Sequence, residues 1–262
     1  MAARLLTCVL LAGSVLCGCA AGPDPRDPME PFNRKVYGFN ESVDKAVLKP
    51  VAKGYVAVVP SLVRQGISNV FNNFGVVVTT VNDALQLKGT KVPVDVARFM
   101  TNLVFGLGGL IDVATELKIE NRREDFGQTL GYWGVGSGPY LVLPLFGPSD
   151  MRDGPALAVD FVTSPFYYWN ADPQIRWGTF ALDVIDTRSN LLDAEKILDT
   201  AAMDRYSFLR DAYLQRREYL INDGKPPSGS GTRQKSLKEL EDEDNADEPV
   251  PLRAAPRVRP PR

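Results

Sequence analysis

The sequence predicts a mainly α protein: one bundle of amphipathic helices joined by Gly/Pro-rich loops, followed by a disordered C-terminal tail. Three observations carry that expectation. Apolar residues recur every three or four positions through three long stretches between residues 27 and 118. Prolines and glycines punctuate those stretches. Residues 224–262 hold prolines, charge blocks and hardly any large apolar side chain, too little to offset the entropy of ordering them.

The chain opens on "MAARLLTCVLLAGSVLCGC", with one positive charge at Arg4 and an apolar run over 5–16. That run is too short to span a bilayer and reads as a secretory signal covering residues 1–18. Leu16-Cys17-Gly18-Cys19 matches the bacterial lipobox, so Cys19 is expected to become the lipid-bearing first residue; an ordinary cleaved signal is the alternative. Ala20, following the anchor in place of an aspartate, favours the outer membrane over the inner one. Residues 19–26 then form a lipidated tether, 27–223 an ordered body and 224–262 the tail. The tail's acidic block over 239–248, followed by Arg253, Arg257, Arg259 and Arg262, suits either an interaction arm or a solvated end.

Within the body, Asp27-Pro28-Met29-Glu30 looks like a helix start, with a carboxylate cap, a proline at the first position and a glutamate placed to reach back. Phe32, Val36, Phe39, Val43 and Val47 continue at helical spacing until Pro50, which is expected to stop the run. A second helix is predicted after Ser61. Its apolar face is Val63, Ile67, Val70, Phe74, Val77, Val81 and Leu85, with Gln65, Asn69, Asn72, Asn73, Thr80 and Asp83 elsewhere.

The third stretch, "VPVDVARFMTNLVFGLGGLIDVATELK", is expected to form one helix with an unusual balance. Polar or small residues fall in a narrow stripe at Asp95, Arg98, Asn102, Gly106, Gly109, Asp112 and Glu116, and nearly everything between is apolar. Such a helix is buried on most sides, by protein or by lipid. Arg98, Asn102 and Asp112 either contact a lumen or tie helices together. No uninterrupted apolar run approaches the roughly 20 residues of a spanning helix.

Composition prunes the chemistry. The chain has no histidine, which excludes Ser-His-Asp and Cys-His machinery and zinc sites of the usual kind. Its three cysteines are Cys8, Cys17 and Cys19, so a mature chain lipidated at Cys19 carries no free thiol. A net charge of -2 gives no hint of nucleic acid. Gly134-Val135-Gly136-Ser137-Gly138 is spaced GxGxG and runs straight into Pro139, unlike a dinucleotide turn, and Val135 rules out a GxSxG elbow. Ser42-Val43-Asp44-Lys45 fits SxxK but lacks the partner motifs of serine acyl enzymes. No cofactor is called for.

Seven segments, in order, then carry a resemblance: "DPMEPFNRKVYGFNESVD", "KPVAKGYVAVVP", "GISNVFNNF", "RFMTNLVFGLGGLIDVA", "DFGQTLGYWGVGSGPYLVLPLFGPSDMRD", "DTRSNLLD" and "RDAYLQRREYL". From Asp27 to Tyr219 the chain resembles the MlaA (VacJ) family of outer-membrane lipoproteins, and the tail falls outside the shared pattern. The resemblance implies a ring-like helical body in the outer membrane, with an amphipathic channel that removes misplaced phospholipid from the outer leaflet. It also implies a porin trimer as membrane partner and a periplasmic lipid carrier as recipient. By the same likeness the loop bearing Gly134, Gly136, Gly138, Pro139 and Tyr140 lies beside the channel. A structural lipoprotein that scaffolds a porin or the cell wall is the alternative. The aromatic run over 166–169 suits either the headgroup level or a core cluster.

Overall fold

An asparagine, and none of the expected apolar residues, is what the first helix buries. The computed structural model describes residues 24–168 and 172–225; the leader, Cys19 and the tail beyond Lys225 lie outside the described residues. The helices are α1 (Glu30–Val43), α2 (Lys49–Val58), α3 (Ser61–Leu85), α4 (Val92–Val104), α5 (Val113–Glu116), α6 (Phe126–Tyr132), α7 (Asp153–Thr163), α8 (Pro165–Tyr168), α9 (Pro173–Asn190), α10 (Leu192–Ala201) and α11 (Arg205–Ile221). Strands β1 (Tyr140–Leu143) and β2 (Gly147–Asp150) make one antiparallel hairpin, with Tyr140 opposite Asp150 and Leu143 opposite Gly147. The mainly helical class is therefore as expected, while the hairpin was not anticipated.

Two boundaries differ from the sequence reading. Helix α1 begins at Glu30 with Pro31 in its first turn, and no side chain caps it. Asp27 is instead buried, accepting hydrogen bonds from Asn33 Nδ2 at 2.8 Å and from the Tyr206 hydroxyl. Pro50 does not end the run either. Residues Asp44–Leu48 form a single π turn in which the Lys49 N–H donates to the carbonyl of Asp44, five residues back. That one-residue slip falls just ahead of Pro50, whose ring clashes with a carbonyl in an unbroken α register, so the chain continues as α2.

Helix α1 holds the hairpin through amides rather than apolar packing. Asn33 Nδ2 donates to the carbonyl of Tyr140 at 3.0 Å, and Asn33 Oδ1 accepts from the N–H of Val142 at 3.0 Å. Two helical turns on, Asn40 repeats the device, donating to Leu143 O at 2.9 Å and accepting from Leu145 N at 2.8 Å. Beneath the hairpin sits a small core of Tyr140, Val142 and Tyr206, with Tyr37 and Tyr213 packed against it. The rings of Tyr37 and Tyr206 meet edge to face at 5.7 Å, a favoured aromatic geometry.

Charge stitches α6, α7 and α11 together. Asp125 caps α6 by accepting from Gln128 N at 2.8 Å, and Arg217 of α11 donates to the same carboxylate at 2.9 Å. Asp160 of α7 accepts from the Phe126 N–H at 2.9 Å, yet burial outweighs that hydrogen bond, and the nearby Asp125 charge adds to it, pushing its carboxyl up to about 6. A raised carboxyl binds its proton more tightly in the folded chain, so stability contributed by Asp160 is full below pH 4 and declines as pH rises toward 6. Asp160→Asn, whose side-chain oxygen still accepts from Phe126, is therefore expected to flatten the dependence of melting temperature on pH between 4 and 6. An unchanged slope would show that this carboxyl titrates normally.

Candidate functional site

A cavity of about 530 Å³ lies among α3, the segment 121–125, α8 and α9. This volume is within the range of ligand sites, roughly 300–1,000 Å³. One part of its lining is aromatic: Phe166 of α8 stands 5.1 Å from Phe71, and, behind the wall, 4.9 Å from Phe74, ring centre to ring centre. Another part is polar. Asp186 of α9 accepts from Ser68 Oγ at 2.6 Å, from the Tyr55 hydroxyl at 3.1 Å and from Asn190 Nδ2 at 3.3 Å. Burial, with the Asp186 charge beside it, raises the Asp183 carboxyl above the ordinary range.

Two guanidinium groups reach this lining, and they differ. Arg122 is 3.0 Å from both Asp83 and Asp95, which fix it between α3 and α4. Arg123 donates to Asn72 Oδ1 but makes no ion pair among the described residues. The cavity therefore offers apolar rings, polar acceptors and one cation outside any ion pair among the described residues. Helical spacing marked α3 correctly but did not show which of its faces lines a cavity, because that depends on where α9 docks, more than 100 residues away.

The residues expected from sequence are placed elsewhere. Arg98, Asn102 and Asp112 do come together, with Arg98 and Asn102 buried. Arg98 grips Asp112 at 2.7 and 3.0 Å, Thr115 Oγ1 at 2.8 Å and the carbonyl of Ile119 at 2.8 Å. Asn102 donates to Asp112 at 2.9 Å and accepts from the N–H of Ala114 at 2.8 Å. Burial tends to raise Asp112, but the hydrogen bonds from Thr115 and Asn102 and the Arg98 charge prevail and hold its carboxyl below the ordinary range. The cluster ties α4 to α5, and none of it lines the 530 Å³ cavity.

The stretch read as one helix is also broken. Helix α4 ends at Val104, and residues 105–111 turn back, with Leu107, Gly108 and Gly109 at positive φ. At Gly106 a Cβ lies 2.1 Å from the carbonyl oxygen of Ile111 and 2.4 Å from that of Asn102, so only glycine closes the turn. Gly109 approaches Asn73 of α3, and Asn69 Nδ2 anchors the same turn through Leu110 O at 2.9 Å. These glycines terminate a helix and bring a turn close to its neighbour; the periodicity ran on past the stop because the residues after it are equally apolar.

In the second glycine-bearing segment, Gly134 at φ 87° follows α6, and Gly138 at φ 67° brings the chain against Met151. Gly136 has open space about it. The carbonyl of Pro139 accepts from Met151 N at 3.2 Å. Tyr140 is buried in the small core described above, so its ring faces the interior and not the loop. None of these five lines the 530 Å³ cavity.

The outer surface completes the picture. Among the described residues, seven apolar side chains are buried against twenty polar or charged ones, the reverse of a body surrounded by water. Helix α3 shows it in detail: Asn73, Thr79, Asn82 and Asp83 are buried, while Val63, Val81 and Leu85 are exposed. Val58 and Leu62, 81% and 79% exposed, and Phe105 and Leu107, 71% and 69% exposed, are among the most exposed apolar residues of this surface. No described helix is long and apolar enough to cross a membrane.

A helical body with polar residues turned inward, apolar residues turned outward and an amphipathic cavity inside belongs to the class of proteins that rest in an apolar layer and handle amphiphiles. The MlaA lipoprotein family model matches residues 25–220, and the chain belongs to that family. It is 35% identical over 238 residues to the intermembrane phospholipid transport system lipoprotein MlaA of Haemophilus influenzae, covering 86% of this chain and 93% of that one. It is 36% identical over 251 residues to the protein of the same name from Escherichia coli, covering 91% and 98%. A solved structure described as the structural basis for maintenance of bacterial outer membrane lipid asymmetry superposes with a TM-score of 0.64 at 35% identity, over 75% of this chain and 99% of that one.

Proposed function

We propose that this chain removes misplaced phospholipids from the outer leaflet of the outer membrane, through a path that includes the 530 Å³ cavity, and passes them to a periplasmic carrier. The observation that carries this reading is the pairing of an apolar exterior with a cavity both aromatic and polar, in a family whose relatives are named for phospholipid transport. Acyl chains meet Phe71 and Phe166, and the headgroup meets the polar lining. The transport is binding and conduction, with no covalent step. Exposed apolar arcs on α3 and on the turn over 105–111 suit acyl chains or the wall of a porin trimer. The ring form implied by the family remains part of this proposal. Arg98, Asn102, Gly106, Gly109 and Asp112 brace the path's outer frame, while Gly134, Gly136, Gly138 and Pro139 supply a pliable rim on the Tyr140 core.

Cys19 would carry the lipid that keeps the body at the membrane. The test uses cells deleted for this protein, restored with wild-type or Cys19→Ala copies, with outer-leaflet phospholipid read by an outer-membrane acyltransferase reporter. Deletion is expected to raise the signal, and only the wild-type copy to return it to the parental level. No rise on deletion would remove the transport reading.

A further inference from the structure

A second cavity of about 740 Å³ shares residues 121–124 with the first, so that this short segment is a common wall between the two. The second cavity differs in charge. Its carboxylates are all engaged: Glu124 by Gln86 at 3.0 Å and Lys88 at 3.2 Å, Glu120 by Lys91 at 3.0 Å, and Asp223 by Lys88. Lys88, Lys91 and Arg122 are thereby satisfied by the protein's own anions. Three cations of the lining, Arg123, Arg216 and Lys225, make no ion pair among the described residues. Arg216 projects from α11, and Arg123 is common to both cavities.

We propose that this second cavity binds the phosphate group of a phospholipid, with Arg123 as the contact that hands it across from the first cavity and Arg216 as the contact that receives it. The proposal rests on the transport reading for the identity of the ligand, but not for the existence of the anion site. A guanidinium presents two parallel donors to a phosphate and stays charged at any pH of the cell envelope. Two guanidiniums and one ammonium outside the cavity's ion pairs leave an excess of positive potential that an anion would neutralise. Phe71 and Phe166 line the first cavity, Arg216 and Lys225 line the second, and Arg123 stands at the shared wall, so a lipid with its tails in the first and its phosphate at that wall meets matching chemistry at both ends.

Binding to the purified full chain in a neutral detergent tests this by calorimetry, with short-chain phosphatidylglycerol, glycerophosphate, inorganic phosphate and an uncharged short-chain diacylglycerol as probes. Arg216 is exposed and lies outside the first cavity, so Arg216→Gln is expected to leave the fold intact. It should weaken phosphatidylglycerol and glycerophosphate about tenfold, the scale of one charge-assisted hydrogen bond, and leave diacylglycerol unchanged. Equal affinities of wild type and Arg216→Gln for both phosphate esters would overturn the proposal. So would inorganic phosphate binding more tightly than either ester, since the site would then be one for free phosphate. Blocking the first cavity by Gly75→Trp separates the two readings. If that variant still binds diacylglycerol and phosphatidylglycerol as wild type does, the first cavity is not the lipid path, whereas the glycerophosphate result decides the second site on its own.

Discussion

Gly75→Trp is expected to abolish lipid removal while leaving the chain at least as stable as its parent. Gly75 lies within α3 and lines the 530 Å³ cavity, and a Cβ placed there meets no atom within 4 Å. An indole can therefore enter without displacing backbone and occupies space that the lipid needs. In a helix interior glycine is about 0.5 kcal/mol worse than tryptophan, so the substitution favours folding slightly. The acyltransferase reporter should rise to the level of the deleted strain, and the melting temperature should hold or increase. Gly75→Ala, which adds only a methyl group, should preserve transport. Full lipid removal by the tryptophan variant, with the protein present at normal abundance, would exclude this cavity from the path.

Arg98→Met is expected to act in the opposite way, destabilising the chain by about 3 kcal/mol. The guanidinium is buried and holds Asp112, Thr115 and the Ile119 carbonyl at once, so methionine keeps the packing but strands the carboxylate and the carbonyl. Denaturant unfolding should show the loss as a lower midpoint, with the removal of Asp112 as a second arm. Arg98→Met combined with Asp112→Leu should recover part of the stability, because no charge is then left without its partner. A single variant as stable as wild type would mean that the cluster does not brace α4 against α5.

How far the sequence was legible follows from what each signal measures. Helical spacing found the first helix, the long helix after Ser61 and the start of the third stretch, because a 3.6-residue period is imprinted whichever side faces the core, while the helices between residues 126 and 221 were not located. It could not tell inside from outside. Val63, Val81 and Leu85 looked like part of a core face, but these three turn outward and Asn73, Asn82 and Asp83 turn in. The narrow polar stripe of the third stretch carried a real signal: Arg98, Asn102 and Asp112 do converge. Their hydrogen bonds tie α4 to α5. The cavity itself was not legible, since Asn72, Arg123 and Asp186 come from segments far apart in the chain and no local pattern links them. Asn33 and Asn40 were also passed over. Their seven-residue spacing was the available clue, but it resembles any polar face of a helix.

Those two asparagines have a consequence for the chain while it folds. The outer edge of β1 is the kind of unpaired strand edge on which other chains assemble into aggregates. Here side-chain amides from α1 occupy that edge at the backbone of Tyr140 and Val142, and a second amide holds Leu143 and, in the turn after it, Leu145. Because these contacts join residues more than 100 positions apart, the edge is shielded only once the first helix has met a hairpin made much later in the chain. The folded chain thus carries its own edge protection, and the time before α1 docks is when that edge lies open to other chains.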